Sequence, residues 1–432
     1  MIRTLLTLIA LSPSLAAEDL VLKNFTLIDG TGRPPVASAA LVVHDGRIAW
    51  AGPVSKLKAP AGAQVIDLTG RFVMPGIINL HGHVGNVIGL KQDPKFYTRE
   101  NVEKNLQTLA SYGVTTVLSL GTDQDLIFKI RGEQRSGRPH YARVFTAGRG
   151  FTVKGGIGGA EGVTFFPASA AEVPAQVDAL AAQKVDIVKM WVDDRLGHSQ
   201  KMPPEISQAI LDSARRNHLR TAAHIYYLED AQRLLNGRVD ILAHSVRDQP
   251  VTPAFIAEMK KRGVLQIPTL TRELSTFVYA HPPAFLEDPF FSRAIAPETI
   301  ATLRSQTYQD RIAADPDFPK YPGFLEMAKK NLKTSSDAGV KIGFGTDTGP
   351  PGRFLGYFEH LELELMVDAG LSPTQAIRAA TGTSGEFLRG ADIGTLEHGK
   401  WADLLVLRRD PLADIKNTRS LEAVYIAGRR LE

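Results

Sequence analysis

The sequence predicts an α/β protein: a (β/α)8 TIM barrel carrying a small β-sandwich domain formed from both chain ends. Three observations carry this. Eight short, β-branched apolar runs recur through the middle of the 432-residue chain. Segments with helical spacing of apolar residues lie between most of them. The two ends share a different texture, of short strands joined by tight turns. Continuous apolar strands alternating with amphipathic helices imply a parallel sheet covered by helices, and eight such units suit the closed barrel. The competing doubly wound open sheet would be expected to carry a glycine-rich phosphate turn early in the chain, and the sequence has none.

Residues 1–16, MIRTLLTLIALSPSLA, hold one basic residue, an apolar segment and small residues. Ser14-Leu15-Ala16 suits a signal peptidase cutting before Ala17, so an exported protein, periplasmic or secreted, is expected. A buried N-terminal helix is the alternative. The apolar run is too short for stable membrane insertion. Residues 17–73 form the first part of the β domain, in LVLKNFTLIDG, ALVVHDGRIAWAG and AQVIDLTG. Asp45-Gly46 between apolar, β-rich runs signals a hairpin turn. Half-sheets of this size leave raw edges and a thin core, which favours one domain made from both termini.

Residues 74–388 form the barrel. FVMPGIINL leads into it, followed by GVTTVLSL, RVFTAG, VDIVKMWV, LRTAAHIY, RVDILAHSV, VLQIPTL and VKIGFGTD. Helical patterns appear in NVEKNLQTLASYG, AEVPAQVDALAAQK, PPEISQAILDSARRNH, TPAFIAEMKKRG and FLEMAKKNLKTSSDAG. Two long connections stand out. GRGFTVKGGIGG, 148–159, opens no helix and reads as a mobile loop. The stretch 271–323, rich in aromatics and prolines after the seventh run, reads as an insert over the barrel mouth. Residues 389–432 return to the β domain through ADLLVLRRDPL and LEAVYIAGRRL.

Composition narrows the function. The chain is 44% hydrophobic and 22% charged, hence globular. A formal net charge of +4 without a basic run makes no case for nucleic acid. There is no cysteine, so a metal site must use histidine, carboxylate or a less common ligand. The expected partner is a small molecule, and homo-oligomerisation stays open.

Six polar residues lie at or near the carboxyl ends of the apolar runs: His81 and His83 in the first, Lys189 in the fourth, His224 in the fifth, His244 in the sixth and Asp347 in the eighth. In a barrel these ends converge on one mouth. Residues two apart on a strand share a face, so His81 and His83 can hold one ion. Four histidines and a carboxylate suit a borderline cation, with Zn2+ the default. Lys189 as an ammonium would be disfavoured by burial and by nearby cations. Neutral, it would react with CO2 to give a carbamate able to bridge two metals. Each residue alone has a plainer role: a packed histidine, a snorkelling lysine, a capping aspartate. Those roles are independent of one another, whereas one metal site accounts for all six.

These strings resemble the amidohydrolase superfamily over nearly the whole mature chain: VMPGIINLHGH, GVTTVLSLG, AAHIYY, ILAHS, GFGTD and LSPTQAIRAATGTSGEFLRGADIGTLEHGKWADLLVL. Within it, the chain is most similar to the imidazolonepropionase-like and Xaa-Pro dipeptidase-like branch, which includes dipeptidases and ochratoxin-type amidases. The resemblance implies two divalent metals, the more buried on His81, His83 and Asp347 and the outer on His224 and His244. N6-carboxylated Lys189 and a hydroxide would bridge them. It implies hydrolysis of a C–N amide or peptide bond in a dipeptide or N-acyl amino acid, with Asp347 moving the proton to the leaving nitrogen. Tyr226, in the AHxY string, would approach the substrate; a packed tyrosine is the alternative. Arg353 would meet a substrate carboxylate or face solvent. Asp193 and Asp194, just past Lys189, would fix the site or attract a cationic substrate group; a surface position is the plainer expectation. The glycine-rich loop lacks the GGH string of several relatives, which leaves specificity open. Two further readings remain, a mononuclear ring hydrolase of the imidazolonepropionase type and a non-catalytic scaffold that keeps the barrel.

Overall fold

A computed structural model describes residues 19–432. The expected signal peptide lies outside the described residues. Five strands open the chain: β1 (Leu20–Leu27), β2 (Val36–His44), β3 (Arg47–Pro53), β4 (Gln64–Asp67) and β5 (Phe72–Pro75). The central strands are β6 (Ile77–Gly82), β7 (Val87–Ile88), β8 (Lys91–Gln92), β9 (Val114–Ser119), β10 (Arg143–Thr146), β11 (Gly150–Phe151), β12 (Thr164–Phe165), β13 (Val188–Trp191), β14 (Thr221–His224), β15 (Ile241–Ala243), β16 (Leu265–Ile267) and β17 (Lys341–Ile342). The chain closes with β18 (Leu404–Leu407), β19 (Leu421–Ile426) and β20 (Arg429–Arg430).

All eight expected central strands are present, parallel and in order. Their ladder falls into two sheets, β10-β9-β6 and β12-β11-β13-β14-β15-β16-β17. Backbone hydrogen bonds cross both gaps. Leu80 N donates to Phe344 O (2.8 Å) and Asp347 N to His81 O (2.6 Å) at one seam, and Asp186 N to Thr146 O (2.9 Å) at the other. Ile78, Leu80, Leu118, Ala222, Ile241 and Leu265 pack together on the inner side. Outer residues such as Val117, Val188 and Leu242 meet the helices. Five of those helices match the sequence expectation: Arg99–Ser111, Val173–Ala182, Pro204–Arg216, Pro253–Arg262 and Tyr321–Asp337.

The terminal domain differs from a β-sandwich of two separate sheets. It is one branched eight-stranded sheet, with β20-β19-β18-β5-β1-β2-β3 in line and β4 on β1. β1 pairs with β4 over Leu20–Lys23 and with β5 over Thr26–Leu27. The change of partner falls at Asn24, where φ is 67° and the ladder is irregular. A bulge of this kind bends a strand and lets it serve two neighbours. The sheet encloses a core of Leu22, Phe25, Leu41, Val73, Leu404 and Val406, contributed by both ends of the chain. Asp45 and Gly46, at φ 49° and 77°, make the two-residue turn between β2 and β3 that their identities require.

The chain passes from this sheet to the central one at Gly76, where a Cβ would lie 2.1 Å from Thr115 Oγ1. The 271–323 segment is mostly short helices around its own aromatic core, in which Tyr279, Phe291 and Tyr308 pack with Tyr112, Phe354 and Phe358. The glycine-rich segment is tied down rather than free. Its Gly150 and Phe151 are β11, between β12 and β13, and Gly158 lies against the Trp191 ring.

Candidate active site

The inner side of the strands leads into a cavity of about 850 Å³ at their carboxyl ends, lined by His83, Trp191, His224, Tyr226, Asp347 and Arg353 among others. Local backbone features turn polar side chains toward it. Strand alternation would send Leu80 inward and His81 outward. β6, however, has an irregularity between Asn79 and Gly82, where it spends one residue more than β9. The bulge reverses the alternation, so His81 and His83 turn inward and Gly82 outward, where a Cβ would meet Val117 at 2.8 Å. Asn79 Oδ1 accepts the His81 N–H at 2.8 Å and steadies the bulge. In β13 no such device is needed, because Ile187, Lys189 and Trp191 share one face. His244, Thr269 and Asp347, at three successive strand ends, adopt left-handed φ values of 75°, 51° and 58°. Such backbone is costly for residues with a Cβ and concentrates at functional sites.

The six predicted residues are brought together and buried. Lys189, His81 and His244 are fully enclosed, and His83, His224 and Asp347 nearly so. The rings form an arc, with centroids 5.5 Å apart for His81–His83, 4.8 Å for His81–His244 and 4.1 Å for His224–His244. Asp347 Oδ1 lies 2.8 Å from His83 Nε2 and 3.4 Å from His81 Nε2. Lys189 Nζ lies 3.5 Å from His81 Nε2.

Several buried ring nitrogens have no hydrogen-bond partner. His81 Nδ1, His224 Nε2 and His244 Nε2 are in this state. For His244 the tautomer can be read. The Thr269 hydroxyl donates to Pro268 O (2.8 Å), so its oxygen accepts from His244 Nδ1 (2.5 Å), leaving Nε2 with a free lone pair. Burial, reinforced for His81 by Lys189, pushes His81 and His244 well below the usual histidine range, and burial lowers His224 to about 4. Neutral imidazoles with unused lone pairs fit a divalent cation. His81, His244 and Asp347 offer ligating atoms within 4.8 Å of one another, a group able to hold a metal ion. Burial also lowers Lys189 to about 7, so a neutral amine is accessible there. For Asp347 burial acts upward, but Arg353 and His81 hold the carboxyl well below its ordinary value.

Two expectations need correction. Asp193 is not at the surface: it is 3% exposed and its Oδ2 lies 2.5 Å from His224 Nε2, outside hydrogen-bond alignment. Its parity with Lys189 and Trp191 along the strand was the available signal. Asp194 is partly buried and accepts from the Tyr227 hydroxyl at 2.8 Å. Arg353 does not face solvent either; it turns inward onto Asp347. Tyr226 is both packed and cavity-lining, with the Arg247 guanidinium 4.6 Å from its ring centre. Sequence reasoning missed Arg247 and Glu273. Arg247 is fully buried, donates to Ile225 O (2.8 Å) and Ser245 O (3.0 Å), and lies 3.0 Å from Glu273 of the insert. Only its position three residues after His244 hinted at this.

The comparisons agree with this geometry. Residues 72–431 match the model of the amidohydrolase family. The ochratoxinase of Aspergillus niger is 24% identical over 92% of this chain and 83% of its own length. A prolidase candidate from Bifidobacterium longum superposes with a TM-score of 0.77 at 25% identity, covering 96% of this chain and 95% of that one. A Xaa-Pro dipeptidase with bound methionine gives 0.74 at 21% identity, covering 96% and 100%. That kinship implies a TIM barrel with a second domain, consistent with the two arcs of strands and the terminal sheet. The chain belongs to the amidohydrolase family and is a hydrolase of amide-type carbon–nitrogen bonds.

Proposed function

We propose that the protein is a dinuclear zinc amidohydrolase that cleaves the amide bond of a dipeptide or an N-acyl amino acid. The observation that carries this reading is Lys189: fully buried among four histidines, with no ion pair to a carboxylate among the described residues. A lysine so placed is poorly accounted for as a structural cation. As a carbamate, formed by the neutral amine with CO2 and loss of a proton, it would supply two oxygens that share one negative charge and could hold divalent cations. His81, His83 and Asp347 would hold one and His224 and His244 the other, within a closed (β/α)8 barrel. Bound divalent cations acidify water and polarise a carbonyl. Asp347 would receive the proton of the attacking water and deliver it to the leaving nitrogen, which departs poorly unless protonated. Tyr226, its ring held by Arg247 and by Phe324 at 5.3 Å, would position the substrate. The dipeptidase and ochratoxinase relatives support an amide substrate with a free carboxylate. Residues 1–16 fit an export leader for a periplasmic or secreted enzyme.

The His81, His244 and Asp347 group favours a second reading, a one-metal ring hydrolase. Metal analysis separates the two. The dinuclear reading expects two equivalents of zinc per chain and loss of both the second equivalent and the activity in Lys189→Ala. One equivalent, with activity surviving that substitution, would overturn it.

A further inference from the structure

Thr269 stands just before the short helix Leu270–Leu274, the place where a threonine ordinarily caps. It does not cap. Its side chain makes no bond to the helix amides, and its backbone is left-handed, with φ 51° and ψ 47°, where a capping residue is ordinarily extended. Such backbone is an outlier for a β-branched residue. Thr269 is also fully buried, so its hydroxyl has no recourse to water.

The capping is done from elsewhere. Glu362, fully buried on the helix Tyr357–Asp368, accepts Leu270 N, Thr271 N and the Thr271 hydroxyl, each at 2.7 Å. The next amide, Arg272 N, goes to Thr269 O at 3.0 Å. A carboxylate distant in sequence thus holds the turn that the threonine side chain would ordinarily hold, and Thr269 Oγ1 is released for another use.

That use is His244. The hydroxyl spends its one hydrogen on Pro268 O, so toward His244 Nδ1 it can only accept. His244 N in turn donates to Ile267 O at 2.9 Å, which ties both backbone and ring of His244 to the end of β16. The ring lies between those of His224 and His81, and its Nε2 has no partner. A packed histidine would be served by a partner on either nitrogen. Here costly backbone is accepted to occupy one nitrogen and leave the other bare.

We propose that Thr269 is a positioning residue: its hydroxyl locks His244 with the proton on Nδ1 and keeps Nε2 as a ligand lone pair, while Glu362 holds the turn that makes this possible. Neither residue lines the cavity. The inference rests on the metal-site reading above and extends it to residues behind the histidines. A partner on the far nitrogen fixes the orientation and tautomer of a ligating ring, and its loss typically costs about 10- to 100-fold in metal affinity.

The test uses three substitutions in the full chain. Thr269→Val keeps the shape and removes the hydroxyl. Thr269→Gly removes it while suiting the left-handed backbone, so that this variant folds even if the valine variant does not. Thr269→Ser restores the hydroxyl. In chelator competition, the valine and glycine variants are expected to bind zinc about tenfold or more weakly than the parent, and the serine variant to keep the parent's affinity. A second readout needs no metal. Ring-nitrogen NMR shifts, assigned with His244→Gln, are expected to show His244 of the metal-free parent as one tautomer, protonated on Nδ1, and a mixture of tautomers in Thr269→Gly. Parent-like zinc affinity in a folded variant without the hydroxyl, or an equal loss in Thr269→Ser, would overturn the inference. So would an unchanged tautomer in Thr269→Gly. If the parent takes up no zinc, the metal-site reading fails, and the tautomer measurement alone decides whether Thr269 fixes the ring.

Discussion

Two buried polar clusters lie near the mouth of the central strands, and they differ in one respect. On the helix Tyr357–Asp368, the polar side chains are satisfied. Glu359 accepts from Asn79 Nδ2 (2.7 Å), Thr348 Oγ1 (2.8 Å) and Gly356 N (2.6 Å). His360 Nε2 donates to Tyr112 O at 2.8 Å, with Nδ1 2.9 Å from Thr418 Oγ1. Glu362 accepts from Leu270 N and Thr271 N, each at 2.7 Å. In the candidate active site, three ring nitrogens are unsatisfied and Lys189 faces histidine. Both regions are buried, the first completely and the second beside the cavity. Burial with full hydrogen bonding marks a scaffold, and burial with unused donors and lone pairs marks a place prepared for something else.

The sharpest test of this contrast is to separate activity from stability. Asp347→Asn is expected to lower kcat/KM by about 10²- to 10⁴-fold, the usual worth of a positioned proton carrier, in protein that calorimetry shows to be folded at the assay temperature. An unchanged kcat/KM in that folded protein would break the comparison. Glu359→Ala should do the reverse and cost about 3 kcal/mol of stability by stranding several buried donors. Urea titration would measure it, and an unchanged midpoint would show that the satisfied cluster is dispensable.

His360 gives a pH-dependent version. Burial lowers its ring to about 3, against about 6.5 for an unhindered histidine. Between those values the unfolded chain takes up a proton that the folded chain refuses. Its contribution is therefore complete above pH 6.5 and is lost as pH falls toward 3. The loss should be on the order of 2 kcal/mol between pH 6.5 and 5. His360→Gln should flatten that part of the melting-temperature profile relative to the parent, and superimposable profiles would refute the assignment. The smallest effect is expected at Gly158, where φ is 74° and a Cβ would lie 2.5 Å from the Trp191 ring. Gly158→Ala should displace the loop and raise KM a few-fold with little change in kcat, as steady-state kinetics would show.

The eight central strands and the six buried polar residues at their ends were legible because each signal is local: an apolar run, a polar residue near its end. What escaped depended on relations between distant segments. The bulge that turns His81 inward is visible only once β6 is laid beside β9. Asp193 looked like a surface acid because its meaning comes from His224, on the next strand. Arg247 gains its partner from an insert whose path the sequence does not specify. The branched terminal sheet hinges on one left-handed residue, Asn24, within an ordinary-looking strand.

The seam between the first and last central strands has a consequence for assembly order. Asp347 reaches its histidine partner His83 across 264 residues of chain, and Asp347 N is held by His81 O. A chain still emerging from synthesis, or one cut before residue 340, has its histidines but not the carboxylate beside them. The group around Asp347 is thus completed only once the last central strand has been made, while the closing strands of the terminal sheet are still to come.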